Sequence, residues 1–229
     1  MDVGQTIFYV LELIGVFAFA ISGAITAIKR DLDVFGVTVM GITTAMGGGV
    51  IRDILIGELP PSMFYSYEYV LLAALTSVGI FTVAYVAKEK FSLNLELINF
   101  INNIFDAIGL GVFSVLGVSI AMSAGHRENA FLCVFLGTMT GVGGGMLRDV
   151  MSMSTPLIFR KHIYAIASIL GSCTYYYMTI YNIKNAYSIV AAMLVTFILR
   201  MLATFFKWSL PKVHIEDDIH KDKKEKVKK

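Results

Sequence analysis

Charge is scarce in this sequence. Only 16% of its 229 residues are Asp, Glu, Lys or Arg and 56% are apolar, against about 25% and about 45–50% in a soluble domain. That balance, with a positive mean hydropathy, excludes an ordinary soluble fold. The net charge of +2 gives no reason to expect a nucleic-acid partner. Both cysteines, Cys133 and Cys173, stand inside apolar stretches and read as packing residues, so neither a disulfide framework nor a thiolate metal site is expected. His126 lies in a short loop and His162 borders an apolar run, with no partner at ligand spacing. No nucleophile–base pair, metal cluster or nucleotide loop is readable, and no covalent chemistry or cofactor is expected.

What the chain has in quantity is long apolar runs. A helix needs about 20 apolar residues to cross a hydrocarbon layer of about 30 Å, and seven such stretches fall near 7–28, 34–57, 66–87, 103–124, 129–152, 162–181 and 186–207. The first resembles a signal sequence at Ala20-Ile-Ser-Gly-Ala24. No basic residue precedes it and it exceeds an h-region of about 7–15 residues, so it reads as a retained span. The half-polar segment from Ser92 to Asn103 reads as lying along the membrane surface, and Pro60-Pro61 as ending the second helix.

One pattern occurs twice. Gly41-Ile-Thr-Thr-Ala-Met-Gly-Gly-Gly-Val-Ile-Arg-Asp53 is answered by Gly137-Thr-Met-Thr-Gly-Val-Gly-Gly-Gly-Met-Leu-Arg-Asp149, 96 positions later, and Gly15-Val-Phe17 falls on Gly111-Val-Phe113 at the same offset. The expectation is therefore an all-α polytopic membrane protein of seven transmembrane helices, arranged 3+3+1. Its units are residues 1–96, a second repeat over 97–184, a seventh helix over 185–208 and a charged tail over 209–229 that reads as disordered. Three spans per unit make the repeats inverted, which places sites near the midplane between them.

Three consecutive glycines weaken a helix by roughly 1 kcal/mol each, and an Arg-Asp pair is costly to place inside a membrane. The triplets Gly47, Gly48, Gly49 and Gly143, Gly144, Gly145 can interrupt their helices and free backbone groups that must then meet protein, water or a permeating species. Thr44 and Thr140, one turn earlier, add hydroxyls that can replace hydration water. Arg52 and Arg148 are expected to bond freed carbonyls rather than their neighbours, since adjacent residues on a helix do not face each other, leaving Asp53 and Asp149 to concentrate cations. Glu12, near the start of the first helix, lines a vestibule or reaches the headgroups; Asp106, at the start of the fourth, is the other vestibule candidate. Close helix packing is the competing reading of the triplets.

Phe64, Tyr65, Tyr67 and Tyr69, with Tyr175, Tyr176, Tyr177 and Tyr181, read as an interfacial aromatic belt. Lys29, Arg30, Lys88, Lys90, Arg160, Lys161, Lys207, Lys212 and six further tail lysines fall on one face, against Arg127 and Lys184 on the other. Positive residues stay inside, so the amino terminus is expected outside and the carboxyl terminus in the cytoplasm. Tail lysines could meet anionic membrane lipids.

The duplicated GGGxxRD, the 3+3+1 plan and the length resemble the bacterial branch of the trimeric intracellular cation channel (TRIC) family, also catalogued as an uncharacterised family with a glycine-transporter label. The resemblance spans about residues 7–207. It implies a prokaryotic inner-membrane homotrimer, each subunit passing monovalent cations, potassium or sodium, between second and fifth helices kinked at the glycines. The animal Lys-Glu-Val motif is absent, so regulation by calcium or phosphoinositides in the animal style is not implied. A secondary transporter for a small amino acid such as glycine is the alternative.

Overall fold

The computed structural model describes residues 3–88, 93–160, 163–206 and 208. The described residues contain seven long helices: α1 Val3–Ile28, α2 Val34–Ile56, α3 Tyr67–Val86, α4 Leu95–Ala121, α5 Ala130–Met151, α6 Ile163–Ile180 and α7 Asn185–Phe205. Six of them are long and apolar enough to cross a membrane on composition alone. The other, α6, carries three successive tyrosines and packs between α5 and α7 in the same bundle. Lys90, Lys161, His162, Lys207 and the tail lie outside the described residues.

Local chemistry sets the helix ends. Asp33 caps α2 by accepting from the Gly36 amide at 2.8 Å, and Asn129 caps α5 from the Leu132 amide at 3.0 Å. α2 ends at Gly57, whose φ of 79° closes the turn while the Glu58 amide reaches back to the Asp53 carbonyl at 2.9 Å. This C-terminal motif stops the helix before the prolines are reached, correcting their assignment as the terminator. The segment from Ser92 is also corrected: from Leu95 onward it belongs to α4, a single helix of 27 residues, about 40 Å long.

α1 packs on α2 and α3, and α4 on α5 and α6. The two bundles meet where α1 crosses α4 and α2 crosses α5, while α7 covers α4 and α6. Contacts come in reciprocal pairs, as inverted repeats require. A Cβ at Gly23 would meet the Thr44 hydroxyl at 2.6 Å and the Met40 carbonyl at 2.8 Å; one at Gly117 would meet Thr140 at 2.5 Å and the Leu136 carbonyl at 2.7 Å. Gly15 lies under the Phe113 ring and Gly109 under Phe19, and the two rings meet at 5.2 Å.

These pairs correct the register. Between α2 and α5 the offset is 96, as the caps Asp33 and Asn129 show, but between α1 and α4 it is 94, so Gly15 answers to Gly109 and not Gly111. Between α3 and α6 it is 95, from Ser77 against Gly41 and Ser172 against Gly137. Connections of unequal length absorb the slips.

The aromatic belt divides. Phe64, Tyr65, Tyr67, Tyr177 and Tyr181 are exposed, but Tyr175 and Tyr176 are buried, their hydroxyls donating to Asn185 Oδ1 at 3.0 Å and the Arg127 carbonyl at 2.9 Å. Tyr69 turns onto Glu12.

Candidate ion path between the repeats

Both glycine triplets lie within unbroken α-helix. The expected interruption is absent, and with it the freed carbonyls. The glycines instead remove side chains where α2 crosses α5. A Cβ on Gly48 would run into the Thr140 carbonyl oxygen, and one on Gly144 into the Thr44 carbonyl oxygen. Gly47 makes room for Leu147 of α5, and a Cβ on Gly143 would meet Ile51 of α2 and the Gly48 backbone at 3.1 Å each. Backbones approach this closely only without Cβ atoms.

Thr44 and Thr140 are fully buried, and each hydroxyl donates to its own helix, to Met40 and Leu136 carbonyls at 2.6 Å. Their donors are consumed, and their oxygens fill the hollows at Gly23 and Gly117. Both side chains serve the packing of α1 on α2 and of α4 on α5.

Past each crossing stands an Arg-Asp pair, and here the neighbours do meet. Arg52 donates through Nε and Nη2 to Asp53 Oδ1 at 2.8 and 2.6 Å, and Arg148 Nε donates to Asp149 Oδ1 at 2.9 Å. The long guanidinium stem folds back to bridge a separation that the helix backbone alone does not close. The second oxygen of each aspartate holds the chain after the helix: Asp53 Oδ2 accepts from the Ser62 amide and hydroxyl at 2.8 Å each, and Asp149 Oδ2 from the Leu157 amide at 2.8 Å. A carboxylate has about four acceptor sites. Asp53 has all of them engaged and is a structural clamp.

An acid and a tyrosine complete each constellation. Tyr69 of α3 donates to Glu12 of α1 at 2.6 Å, and Tyr164 of α6 faces Asp106 of α4 at 3.4 Å. Glu12 and Asp106 are 94 apart and the tyrosines 95 apart, matching the register of their helices. The tyrosines were legible only in this corrected register.

The two constellations differ in what surrounds them. The first opens into a cleft of about 440 Å³ lined by Glu12, Asp53, Glu58, Arg52 and Ser62, three carboxylates against one guanidinium. A smaller cavity of about 30 Å³ shares Glu12, Arg52 and Asp53 with it and reaches Gly49 and Phe113, with room for about two waters. The second constellation is closed. Arg148 Nη1 bonds Asp106 at 2.7 Å and Ser22 at 2.5 Å. Arg200 of α7 bonds Asp106 Oδ2 at 3.3 Å and lies 4.6 Å above the Tyr164 ring. Asp106, Arg148, Tyr164 and Arg200 are no more than 2% exposed. The third glycines follow suit: a Cβ on Gly49 would meet only Arg52, at 3.7 Å, while one on Gly145 would meet the Tyr164 hydroxyl at 2.5 Å.

α7 has no counterpart in the first repeat, so the extra cation at the second constellation comes from outside the repeat. An arginine within an apolar span is itself a signal, one that the duplicated motif overshadowed.

The model of a family described as "Glycine transporter" matches the chain twice, over residues 9–85 and 103–180. These bounds repeat the offsets of 94 and 95. Among solved structures, one of a TRIC cation channel aligns with a TM-score of 0.76 and 38% identity, covering 91% of this chain and 98% of that one. The chain belongs to the TRIC family. A TRIC orthologue from Rhodobacter sphaeroides aligns at a TM-score of 0.79 and 26% identity, over 89% of this chain and 100% of that one. Among curated relatives, the UPF0126 membrane protein YvgT of Bacillus subtilis is 34% identical over 88% of this chain and 94% of its own length, and the UPF0126 inner membrane protein YadS of Escherichia coli 33% over 92% and 98%.

Proposed function

We propose that this TRIC-family protein is a cation channel passing monovalent cations, potassium among them, along a path within each subunit beside the α2–α5 crossing. The observation that carries the reading is the pair of inverted acid–tyrosine–Arg–Asp constellations flanking a close glycine crossing, one opening into an acidic cleft. Three carboxylates facing one guanidinium focus a negative potential that raises the local cation concentration. The structure is read as closed at its second mouth, where Arg200 and Arg148 neutralise Asp106. Conduction requires that this mouth loosen.

Three copies assemble, as the TRIC solved structures are described as trimeric, each copy with its own path. The acidic cleft opens outside and the closed mouth faces the cytoplasm of a prokaryotic inner membrane, following the positive-inside rule.

The family description "Glycine transporter" supports a second reading, in which the same inverted repeats alternate access to a small amino acid. Purified protein in liposomes separates the two. Fast, non-saturating potassium flux unaffected by glycine is expected; glycine counterflow with little ion leak would overturn the channel.

A further inference from the structure

A groove of about 520 Å³ lies where the ends of α1 and α3 meet the start of α4. Ile28, Phe81 and Tyr85 contribute to its apolar wall, and Lys29, Lys88 and Asp31 to its polar lining. The Phe81 and Tyr85 rings stack at 6.2 Å, and Tyr85 is 74% exposed. Lys29 is held by a bond from its amine to Asn99 Oδ1 at 2.5 Å.

The inverted repeat supplies an internal control, because the same groove occurs on the opposite face. There a cavity of about 320 Å³ lies where α4 and α6 end and α7 begins, lined by Met122, Ser123, Thr179 and Ile183. In the registers above these are the counterparts of Ile28, Lys29, Ala84 and Lys88. Both lysines are replaced, by Ser123 and Ile183. The one cation among the residues lining that cavity, Arg127, points a guanidinium nitrogen at the Thr179 carbonyl, 3.5 Å away.

We propose that the groove between α1, α3 and α4 binds an anionic phospholipid, its phosphate between Lys29 and Lys88 and an acyl chain along Ile28, Phe81 and Tyr85. The proposal rests on the orientation reading, which puts this groove at the cytoplasmic leaflet, where anionic headgroups attract lysines. A topology signal needs basic residues anywhere in the loop. It does not need two of them along an apolar groove whose counterpart on the other face lacks both. Burial first, then Arg30 and Arg148, push the Lys29 amine below its ordinary value, so a nearby anion relieves crowded positive charge. With Asp31 present the lining carries one net positive charge, matched by a singly charged phosphodiester.

The test offers delipidated full-length protein in detergent an equal mixture of phosphatidylglycerol and phosphatidylcholine and counts retained lipids by native mass spectrometry. Wild type should favour phosphatidylglycerol by roughly tenfold. The Lys29→Gln/Lys88→Gln double variant should lose that preference, and Lys29→Arg/Lys88→Arg should keep it. Equal retention in wild type and the Gln variant would overturn the proposal. So would displacement of the lipid by inorganic phosphate, which would make this a soluble-anion site. Ready disulfide cross-linking of Tyr85→Cys between subunits would also overturn it, since the neighbouring copy would then cover the groove. The readout is lipid retention, so it stands or falls separately from ion flux.

Discussion

Within each triplet the three glycines have different jobs, and alanine separates them. In a helix interior alanine is favoured over glycine by about 1 kcal/mol, so a substitution with room to spare should stabilise. Gly49→Ala meets nothing nearer than Arg52 at 3.7 Å and should leave the melting temperature unchanged or raised by a few degrees. Its counterpart Gly145→Ala meets the Tyr164 hydroxyl at 2.5 Å and should lower it. Gly48→Ala and Gly144→Ala press on backbone carbonyls across the crossing and should each cost about 1–3 kcal/mol or more, read as a lower melting temperature in detergent. Equal melting points for Gly49→Ala and Gly145→Ala would remove the asymmetry between the mouths. Charge in the cleft makes a second prediction at this scale. Glu12→Gln/Glu58→Gln should slow potassium flux several-fold at low ionic strength, with a smaller loss at 1 M salt, where the screening length falls to about 3 Å; a loss independent of salt would mean the carboxylates do not act through their field.

The seventh helix carries the next prediction, because it alone breaks the equivalence of the two mouths. Arg200 is fully buried against Asp106 and Tyr164. In Arg200→Met, Asp106 keeps Arg148 as its partner, so the variant should fold while the closed mouth loosens, and potassium flux should rise several-fold over wild type. A lowered melting temperature with unchanged flux would make Arg200 a packing element only. The helices themselves were readable from apolar length, and so was the pairing of α2 with α5, because its motif is written twice in one register. The tyrosines opposite Glu12 and Asp106 were not, since one- and two-residue differences between connections shift α1 and α3 out of that register. The triplets do not break their helices. Each triplet's cost is offset by packing, here at the α2–α5 crossing, and a propensity of roughly 1 kcal/mol per residue is routinely overridden by tertiary contacts. The Arg-Asp contact was hidden for a similar reason: helix geometry separates adjacent side chains, but a buried guanidinium and carboxylate with few alternatives fold back to meet.

For the whole molecule, the seven-helix count fixes more than the fold. Because an odd number of helices separates the ends, every loop is assigned a side once one is known, and so is each mouth. Glu128, between α4 and α5, belongs to the face with Arg127 and Lys184; Asp31, between α1 and α2, belongs to the basic face. Both are exposed. Cysteines placed singly at these positions, in a chain with Cys133 and Cys173 replaced by alanine, report the orientation through a membrane-impermeant maleimide applied to intact cells. Glu128→Cys should label at once, and Asp31→Cys only after permeabilisation. The reverse pattern would place the acidic cleft in the cytoplasm and the Arg200 closure outside, and cations would then meet the open mouth from within the cell. Labelling of both positions in intact cells would require copies in both orientations. The assignment matters for flux because a closure on the cytoplasmic side would hold back the steep inward driving force that a negative membrane potential, worth about 2.3 kcal/mol per charge per 100 mV, would put on a cation in the cleft.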